Sequence, residues 1–316
     1  MSLAWVIGSG GMLGKALSTE LAKSEDSLFD STVQFNWREI DVAREQLQQA
    51  TQRFSLQAGK GPWVIYWTAG IGSMHSSEEE LQAETNLLES LIASLFQDPN
   101  LNLKAGSFVF ASSAGAIYAG APEGVITEST DPSPINAYGR TKLAQESLIN
   151  KLNKSGQGAS VIFCRISTLY GFKAKDGKQQ GLIAEMVRKS LSNEVVHIYV
   201  PLETMRDYIS VGNAAKQMIE AKELFEKTRG IHLKIIASGV SSSVAQILVI
   251  VKGICKRNLR VVTQADDRGA QYQRVVQFKL DTSTSNSRLN QANLIEGISA
   301  LLTQIQKELA SNGNCS

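Results

Sequence analysis

The chain has 316 residues, of which 43% are hydrophobic and 20% charged, and its formal net charge is +2. This composition is typical of a globular protein with one large domain or two smaller ones. The small net charge gives no reason to propose a nucleic acid or an acidic membrane as partner. The three cysteines, Cys164, Cys255 and Cys315, are far apart and belong to no Cys/His cluster, so neither a disulfide framework nor a metal site is predicted.

No segment of the sequence predicts membrane insertion or secretion. The N-terminal residues lack a basic region followed by a long apolar stretch, so no secretory signal is expected. The most apolar run, Val244–Cys255, is too short to span a bilayer and contains Lys252. We therefore expect a cytoplasmic protein.

Short apolar runs alternate with longer amphipathic runs along the first half of the chain. Strands are predicted at residues 4–7, 32–35, 63–67, 107–111 and 161–165. Helices are predicted at residues 12–23, 42–57, 78–96 and 137–153. This alternation predicts an α/β fold of the Rossmann type, a doubly wound parallel sheet with helices on both faces.

The alternation breaks up from about Phe172, which predicts a smaller C-terminal lobe that binds substrate. Residues 1–171, with a returning segment around 206–238, are expected to form the dinucleotide-binding domain. The smaller lobe is expected to comprise residues 172–205 and 239–316.

A glycine loop follows the first predicted strand in "AWVIGSGGMLGKAL". Gly8, Gly11 and Gly14 give the spacing Gly-x-x-Gly-x-x-Gly. Gly8 suits a tight turn, Gly10 and Gly11 permit close approach of a pyrophosphate, and Gly14 permits packing between helix and strand. The sequence therefore predicts a dinucleotide site that also includes Met12 and Leu13.

The choice between NAD(H) and NADP(H) depends on the end of the second strand, where a carboxylate would bind the adenosine ribose. With a strand at 32–35, Asn36 lies at that end and Arg38 follows. An amide and a guanidinium suit a ribose 2′-phosphate, so NADP(H) is favoured and NAD(H) stays possible. The alternative is a solvated Arg38 paired with Glu39.

Two further segments supply a hydroxyl, a phenol and an ammonium. "GSFVFASSAG" predicts a buried strand that ends in Ser112 and Ser113. In "NAYGRTKLAQE", Tyr138 and Lys142 are four residues apart, so they lie on one face of a helix. An ammonium beside a phenol lowers the phenol's pKa by Coulomb attraction, which suits acid/base catalysis.

Taken together, these segments resemble the extended short-chain dehydrogenase/reductases of the NAD-dependent epimerase/dehydratase family. The matching segments occur in order through nearly the whole chain. They are the glycine loop, "IDV", "WTAG", Asn86, "FVFASS", "TESTDPSPINAYGRTKLAQE", "CRISTLYG", "MRDYISVGNAA" and "LIEGISALLTQI".

The resemblance implies a role for each matching residue. Tyr138 would be the catalytic acid/base, Lys142 would lower its pKa and bind the nicotinamide ribose, and Ser113 would bind the reacting substrate oxygen. Ser112 and Arg206 would contact substrate, Arg206 through a phosphate of a nucleotide-linked sugar; the alternative for Arg206 is a pair with Asp207. Further cofactor contacts would come from Asp41, Val42, Thr68, Ala69, Gly70 and Asn86. His75 is left out of the catalytic set.

The family includes several reactions, and departures from its patterns narrow the choice. Ala114 and Gly115 stand where dehydratases carry an acidic pair, so dehydration is disfavoured. GDP-fucose synthase-like enzymes carry an additional Cys and His as acid/base groups, and no cysteine closely follows Ser113, so that activity is disfavoured too. Simple redox chemistry at a sugar carbon remains, with a reductase favoured and a 4-epimerase as the alternative. A non-catalytic NADP-binding regulatory protein is a second alternative. The resemblance also implies a homodimer joined by the helices at 84–96 and 138–153.

Overall fold

The computed structural model describes residues 1–70, 72–73, 76–122, 124–156, 158–172, 181–264, 276–280 and 294–313. Thirteen strands are assigned in these ranges. They are β1 (Leu3–Ile7), β2 (Ser27–Leu28), β3 (Trp63–Trp67), β4 (Gly106–Ser113), β5 (Val125–Ile126), β6 (Ser160–Ile166), β7 (Thr168–Tyr170), β8 (Val195–Ile198), β9 (Met205–Ser210), β10 (Ile231–Ile236), β11 (Ser241–Ser243), β12 (Arg260–Thr263) and β13 (Gln277–Phe278).

Nine α-helices are assigned in the same described ranges, together with two 3₁₀ segments, Leu103–Ala105 and Asn150–Gly156. The α-helices are α1 (Met12–Leu21), α2 (Ile40–Ala58), α3 (Glu78–Gln97), α4 (Ala114–Ile117), α5 (Ala137–Ile149), α6 (Leu182–Ser192), α7 (Val211–Phe225), α8 (Val244–Cys255) and α9 (Leu294–Gly313). Within the part of the chain that is described, no helix is long and apolar enough to cross a membrane.

The largest sheet has six strands in the order β10-β6-β4-β3-β1-β2. β1 pairs in parallel with both β2 and β3, and β3 pairs in parallel with β4. The order runs one way from β1 to β2 and the other way from β3 onward. Ligands of such sheets bind outside the carboxyl ends of the strands at this reversal. The predicted α/β Rossmann fold is confirmed.

One predicted strand is wrong: residues 32–35 are not a strand, and the second strand is Ser27–Leu28. The reason is a local turn just after β2. The Asp30 carboxylate accepts a hydrogen bond from the Thr32 N–H at 2.8 Å, and Thr32 has a φ of +52°. A side chain that bonds the backbone two residues on favours a turn over an extended ladder.

The chain divides into two compact units. The first comprises residues 1–118, 132–165 and 215–234, and the second comprises 119–131, 166–214 and 235–316. This division differs from the expected one, because 119–131, 166–171, 206–214 and 235–238 fall in the second unit. The reason is strand pairing: β5 pairs with β13, and β9 pairs with β7 and β11.

Each unit has a core of its own. In the first unit, side chains from β1, β3 and β4 pack against α2 and α3, and Trp5, Phe29, Phe54 and Trp63 form edge or tilted ring contacts. In the second unit, α6, α8 and α9 pack together through their apolar faces. Buried apolar area of this extent is the main source of stability for both units.

Candidate active site

The glycine loop between β1 and α1 is shaped by two positions that tolerate no side chain. Gly8 has a φ of +92°, and a Cβ there would lie 2.5 Å from the Ala69 nitrogen. A Cβ on Gly14 would lie 2.2 Å from the Gly8 carbonyl oxygen. A Cβ on Gly10, in contrast, would meet no atom within 4 Å, so the space beside Gly10 is open. The loop therefore packs tightly on one side and leaves room on the other.

The end of β3 is fastened to the end of β1 beside this loop. The backbone N–H and the hydroxyl of Thr68 both donate to the Ile7 carbonyl, each at 2.9 Å. Ala69 is buried and Gly70 follows it. These residues lie where the strand order reverses, the position at which doubly wound folds bind ligands. The helix α1 begins there with Gly11 as its N-cap and no capping side chain, which leaves its first N–H groups available to an anion.

The residues predicted to select the cofactor do not end a strand. The Asn36 amide donates to Glu39 at 3.0 Å, and the Arg38 side chain is exposed. The acidic residue that follows the observed second strand is Asp30, which is also exposed. Asp30 could not be found from the sequence pattern, because the strand of two residues before it is too short to alternate.

Three other predicted cofactor contacts lie on exposed helical positions. Asp41 and Val42 lie in the first turn of α2, where the Asp41 carboxylate accepts a hydrogen bond from Arg44 at 3.0 Å. Asn86 lies on the exposed face of α3 and accepts a hydrogen bond from Gln82 at 2.8 Å. Contact between these residues and a cofactor stays a prediction. His75 lies outside the described residues.

Helix α5 carries Tyr138 and Lys142 on one face, as predicted. The Asn136 side chain caps the helix by accepting from the Gly139 N–H at 2.8 Å. Gly139 brings α5 against α4, since a Cβ there would lie 2.4 Å from the Ala116 carbonyl oxygen. Lys142 Nζ is 5.7 Å from the centre of the Tyr138 ring. The phenol and the ammonium therefore form a couple at the N-terminal end of this helix.

The two serines at the end of β4 face different surroundings, as neighbouring strand residues do. The Ser113 hydroxyl accepts a bond from the Ala116 N–H at 3.4 Å and caps α4, and the side chain is half-buried. The Ser112 hydroxyl is buried and donates to Glu146 at 2.6 Å. Ser112 is thus held within the core, and Ser113 is the serine that lies beside the contact of α4 with α5.

Behind Ser112, a buried ion pair ties α5 to the sheet. Arg165 on β6 donates to both carboxylate oxygens of Glu146, at 3.0 and 2.6 Å. A third donor of Arg165 bonds the Tyr118 hydroxyl at 2.6 Å. A buried charge cluster that is paired and hydrogen-bonded in this way fixes the orientation of the helix that carries Tyr138 and Lys142.

Lys142 has two hydrogen-bond partners that the sequence pattern did not predict. Its ammonium donates to Glu84 Oε1 at 2.8 Å and to Gln145 Oε1 at 3.1 Å. The Gln145 amide in turn donates to Glu84 at 3.2 Å and to the Thr85 hydroxyl at 3.1 Å. Gln145 could have been found from its spacing to Lys142 on the same helix. Glu84 could not, because it belongs to α3, far away in sequence.

These surroundings determine the proton affinity of the phenol. Burial raises the pKa of Tyr138, the Lys142 charge lowers it and the Glu84 charge raises it; the net effect is a raised pKa. Burial lowers the pKa of Lys142, but the charges of Glu84 and Tyr138 outweigh burial and the net pKa is raised. The predicted effect of Lys142 on Tyr138 is present but outweighed. At neutral pH the couple holds a protonated phenol and an ammonium.

Arg206 belongs to β9 in the second unit and does not use Asp207 as its hydrogen-bond partner. Its Nη1 donates to the Met205 carbonyl at 2.7 Å. The buried Asp207 carboxylate instead accepts from the Ser167 hydroxyl at 2.7 Å and from the backbone and hydroxyl of Ser238, each at 2.9 Å. Among the described residues, no cluster of His, Cys, Asp and Glu side chains could hold a metal ion.

A parallel sheet with a glycine loop at its reversal point, and a Tyr/Lys couple on an adjoining helix, define the class of extended short-chain dehydrogenase/reductases. The sequence pattern of the NAD dependent epimerase/dehydratase family matches residues 4–235. The chain belongs to this family.

Several known proteins are similar to it. The dTDP-4-dehydro-6-deoxyglucose reductase of Escherichia coli is 26% identical over 227 residues, which cover 66% of this chain and 68% of the relative. The UDP-glucose 4-epimerase of Thermotoga maritima, solved with UDP-glucose, has a TM-score of 0.78 at 20% identity and covers 98% of this chain and 100% of its own. RMD from Pseudomonas aeruginosa, solved with NADPH, has a TM-score of 0.74 at 19% identity and covers 97% and 99%.

Proposed function

We propose that the protein is a nicotinamide-dependent oxidoreductase that acts on a carbonyl or alcohol carbon of a nucleotide-linked or related sugar. The observation that carries the proposal is the Tyr138–Lys142 couple, held on α5 in the same compact unit as the glycine loop and Ser113. Family membership and the reductase and epimerase relatives support the same substrate class.

The side chains have complementary tasks in this proposal. When bound, a nicotinamide dinucleotide accepts or supplies a hydride at the substrate carbon. Tyr138 gives its proton to the carbonyl oxygen in reduction, or takes the hydroxyl proton in oxidation. Ser113 hydrogen-bonds that same oxygen, and the remaining N–H of Lys142 binds a ribose hydroxyl. A phenol with a raised pKa is protonated at neutral pH, which supports its use as an acid in reduction.

For the cofactor we propose NAD(H), with NADP(H) as the alternative. The expectation of NADP(H) depended on a strand at 32–35, and residues 32–35 are not a strand. Asp30 follows β2 about 20 residues after the glycine loop, where a carboxylate binds the ribose diol of NAD and repels a 2′-phosphate. Asn36 and Arg38 remain the residues that would favour NADP(H).

Replacing Asp30 by Asn is expected to reverse or abolish the proposed preference for NADH over NADPH. We expect wild-type protein to bind NADH at least about tenfold more tightly than NADPH, and the variant to lose most of this ratio because the repulsive carboxylate is gone. Fluorescence titration with each reduced cofactor measures both affinities. Glu25→Gln, an exposed change of the same kind, serves as the control. Tighter binding of NADPH by wild-type protein, lost in Arg38→Ala, would establish the alternative.

Between net reduction and 4-epimerisation we propose reduction. Mass spectrometry of the protein purified without added ligand tests this choice. A reductase exchanges its cofactor in each turnover and is expected to be isolated largely empty, with oxidation of added NADH when a 4-keto nucleotide sugar is supplied. Stoichiometric retained NAD, together with interconversion of UDP-glucose and UDP-galactose, would instead establish the epimerase.

Arg206 and the homodimer stay proposals. We propose that the Arg206 guanidinium binds a phosphate of the substrate, since its planar donors suit that group.

The homodimer would use the outer faces of α3 and α5. The large apolar side chains of α3 are mostly buried within the first unit, with Phe96 the exception, so these outer faces are mainly polar. A regulatory role without catalysis is disfavoured because Ser113, Tyr138 and Lys142 are all present.

A further inference from the structure

The carboxylate of Glu84 is buried next to the Tyr138–Lys142 couple. Glu84 is 7% exposed, and its Oε2 accepts from the Gly72 N–H at 3.2 Å. Its Oε1 accepts from Lys142 at 2.8 Å and from Gln145 at 3.2 Å. A carboxylate with this many donors, taken out of water, is stable only while its partners stay in place.

The same contacts fix the position of the Lys142 ammonium. An ammonium has three donors, and the bonds to Glu84 and Gln145 use two of them. The Phe110 ring lies beneath, 5.1 Å from Nζ. Lys142 is 4% exposed, so its long side chain is ordered before any ligand arrives. A group that is already in position costs less entropy when it binds a ribose hydroxyl.

We propose that Glu84 is a positioning residue, which holds Lys142 for the cofactor ribose and sets the pH at which the Tyr138–Lys142 couple releases a proton. The inference rests on the proposed function, because it assigns Glu84 a task in that same site.

The charges around the couple are few, so the effect of Glu84 is separable. The titratable groups that face Lys142 are Glu84 on α3, and Tyr138 and Glu146 on α5. The Glu146 charge is matched by Arg165, with bonds of 3.0 and 2.6 Å. The other packing elements, α4 and β4, contribute no ionisable side chain. Glu146 thus has a cation of its own, Arg165, that offsets its charge. Among the described residues, Glu84 has no such cation besides Lys142, so its charge acts on the couple directly.

Removing the Glu84 charge lowers the pH of proton release, whether Tyr138 or Lys142 loses the proton. The couple begins as a phenol and an ammonium, and it loses one proton in total as the pH rises. A nearby negative charge opposes this loss, so replacing Glu84 with neutral Gln makes the proton leave at lower pH. In reduction the upper limit of the active pH range then falls. In oxidation the lower limit falls.

The test is direct titration of Tyr138 in protein carrying ¹³C at the tyrosine Cζ. Spectra of Tyr138→Phe identify the signal. We expect Tyr138 of E84Q to ionise at least about one pH unit below the wild-type residue. Glu89→Gln makes the same chemical change on the exposed face of α3 and should leave the titration as in wild type. If Tyr138 of E84Q ionises at the same pH as Tyr138 of the wild-type protein, or at a higher pH, the proposal is overturned.

Thermal unfolding keeps the proposal testable if E84Q does not fold. Lys142→Met alone leaves Glu84 buried without its cation, whereas the double variant with E84Q removes both charges. We expect the double variant to melt about 5 °C or more above Lys142→Met. A double variant that melts no higher would show that Glu84 and Lys142 are not a coupled pair, and the proposal would fail.

Neither measurement needs a substrate. If Tyr138 shifts in E84Q but no nucleotide sugar is turned over, the reaction proposed above fails and the role of Glu84 in setting the titration stands. If turnover is found and lost in Tyr138→Phe, but no shift occurs in E84Q, only the inference about Glu84 fails.

Discussion

Tyr138→Phe is expected to abolish turnover while leaving the fold and the cofactor site intact. The change removes one hydroxyl, the group proposed to transfer the proton, and keeps the ring that packs near Lys142. Loss of a general acid/base costs about 10²–10⁴-fold in rate. We expect kcat, followed by the absorbance of the reduced nicotinamide, to fall in this range, with NADH affinity within about twofold of wild type.

The matched control is Tyr199→Phe, which makes the same change at an exposed tyrosine of the second unit. It should retain wild-type kcat. Undiminished turnover in Tyr138→Phe would exclude Tyr138 as the acid/base. Absence of turnover in the wild-type protein as well, with biological activity preserved in both, would instead favour the regulatory alternative.

Gly14→Ala is expected to disrupt both the fold and the dinucleotide site. The new methyl would lie 2.2 Å from the Gly8 carbonyl oxygen and 2.7 Å from the Thr68 hydroxyl, so helix α1 must move away from the end of β3. Overpacking of this kind costs about 1–3 kcal/mol in the free energy of unfolding. We expect a matching loss in urea unfolding and at least about a tenfold loss of NADH affinity, since the loop depends on this contact.

Gly10→Ala separates binding from folding within the same loop. No atom lies within 4 Å of the new methyl, and the Gly10 backbone has no positive φ. Stability should therefore change by no more than about 0.5 kcal/mol, while NADH affinity falls because the methyl occupies the space proposed for the pyrophosphate. Gly253→Ala, at an open position inside helix α8, should leave NADH affinity unchanged and raise stability by about 0.5–1 kcal/mol through helix propensity. Equal NADH affinity in Gly10→Ala and wild type would place the pyrophosphate elsewhere.

Much of the fold was determined by local sequence patterns. The strands β1 and β3 are continuous apolar runs, and β4 and β6 each contain an unbroken apolar run. The helices between them repeat apolar residues at helical spacing, so local patterns are enough to place these elements. The glycine loop and the Tyr138–Lys142 pair are likewise patterns of residues that lie close together in the sequence. Such features are readable because each depends on residues only a few positions apart.

The second strand shows where local patterns fail. Residues 32–35 carry the composition of a strand, yet the turn made by Asp30 and Thr32 prevents it, and β2 is only two residues long. That shift moved the residue proposed to bind the adenosine ribose from Asn36 to Asp30, and with it the proposed cofactor. A side-chain hydrogen bond to the backbone outweighed strand propensity.

The sequence by itself determined the fold class, the glycine loop and the placement of Tyr138 and Lys142 on one helical face. Only the tertiary structure revealed that Glu84 and Gln145 hold Lys142, that Ser112 is bonded within the core and that Asp207 is not the hydrogen-bond partner of Arg206. The physical reason is distance along the chain. Periodicity reports which face of an element is buried, but the pKa of a buried group depends on charges brought to it by other elements, and those are set by packing.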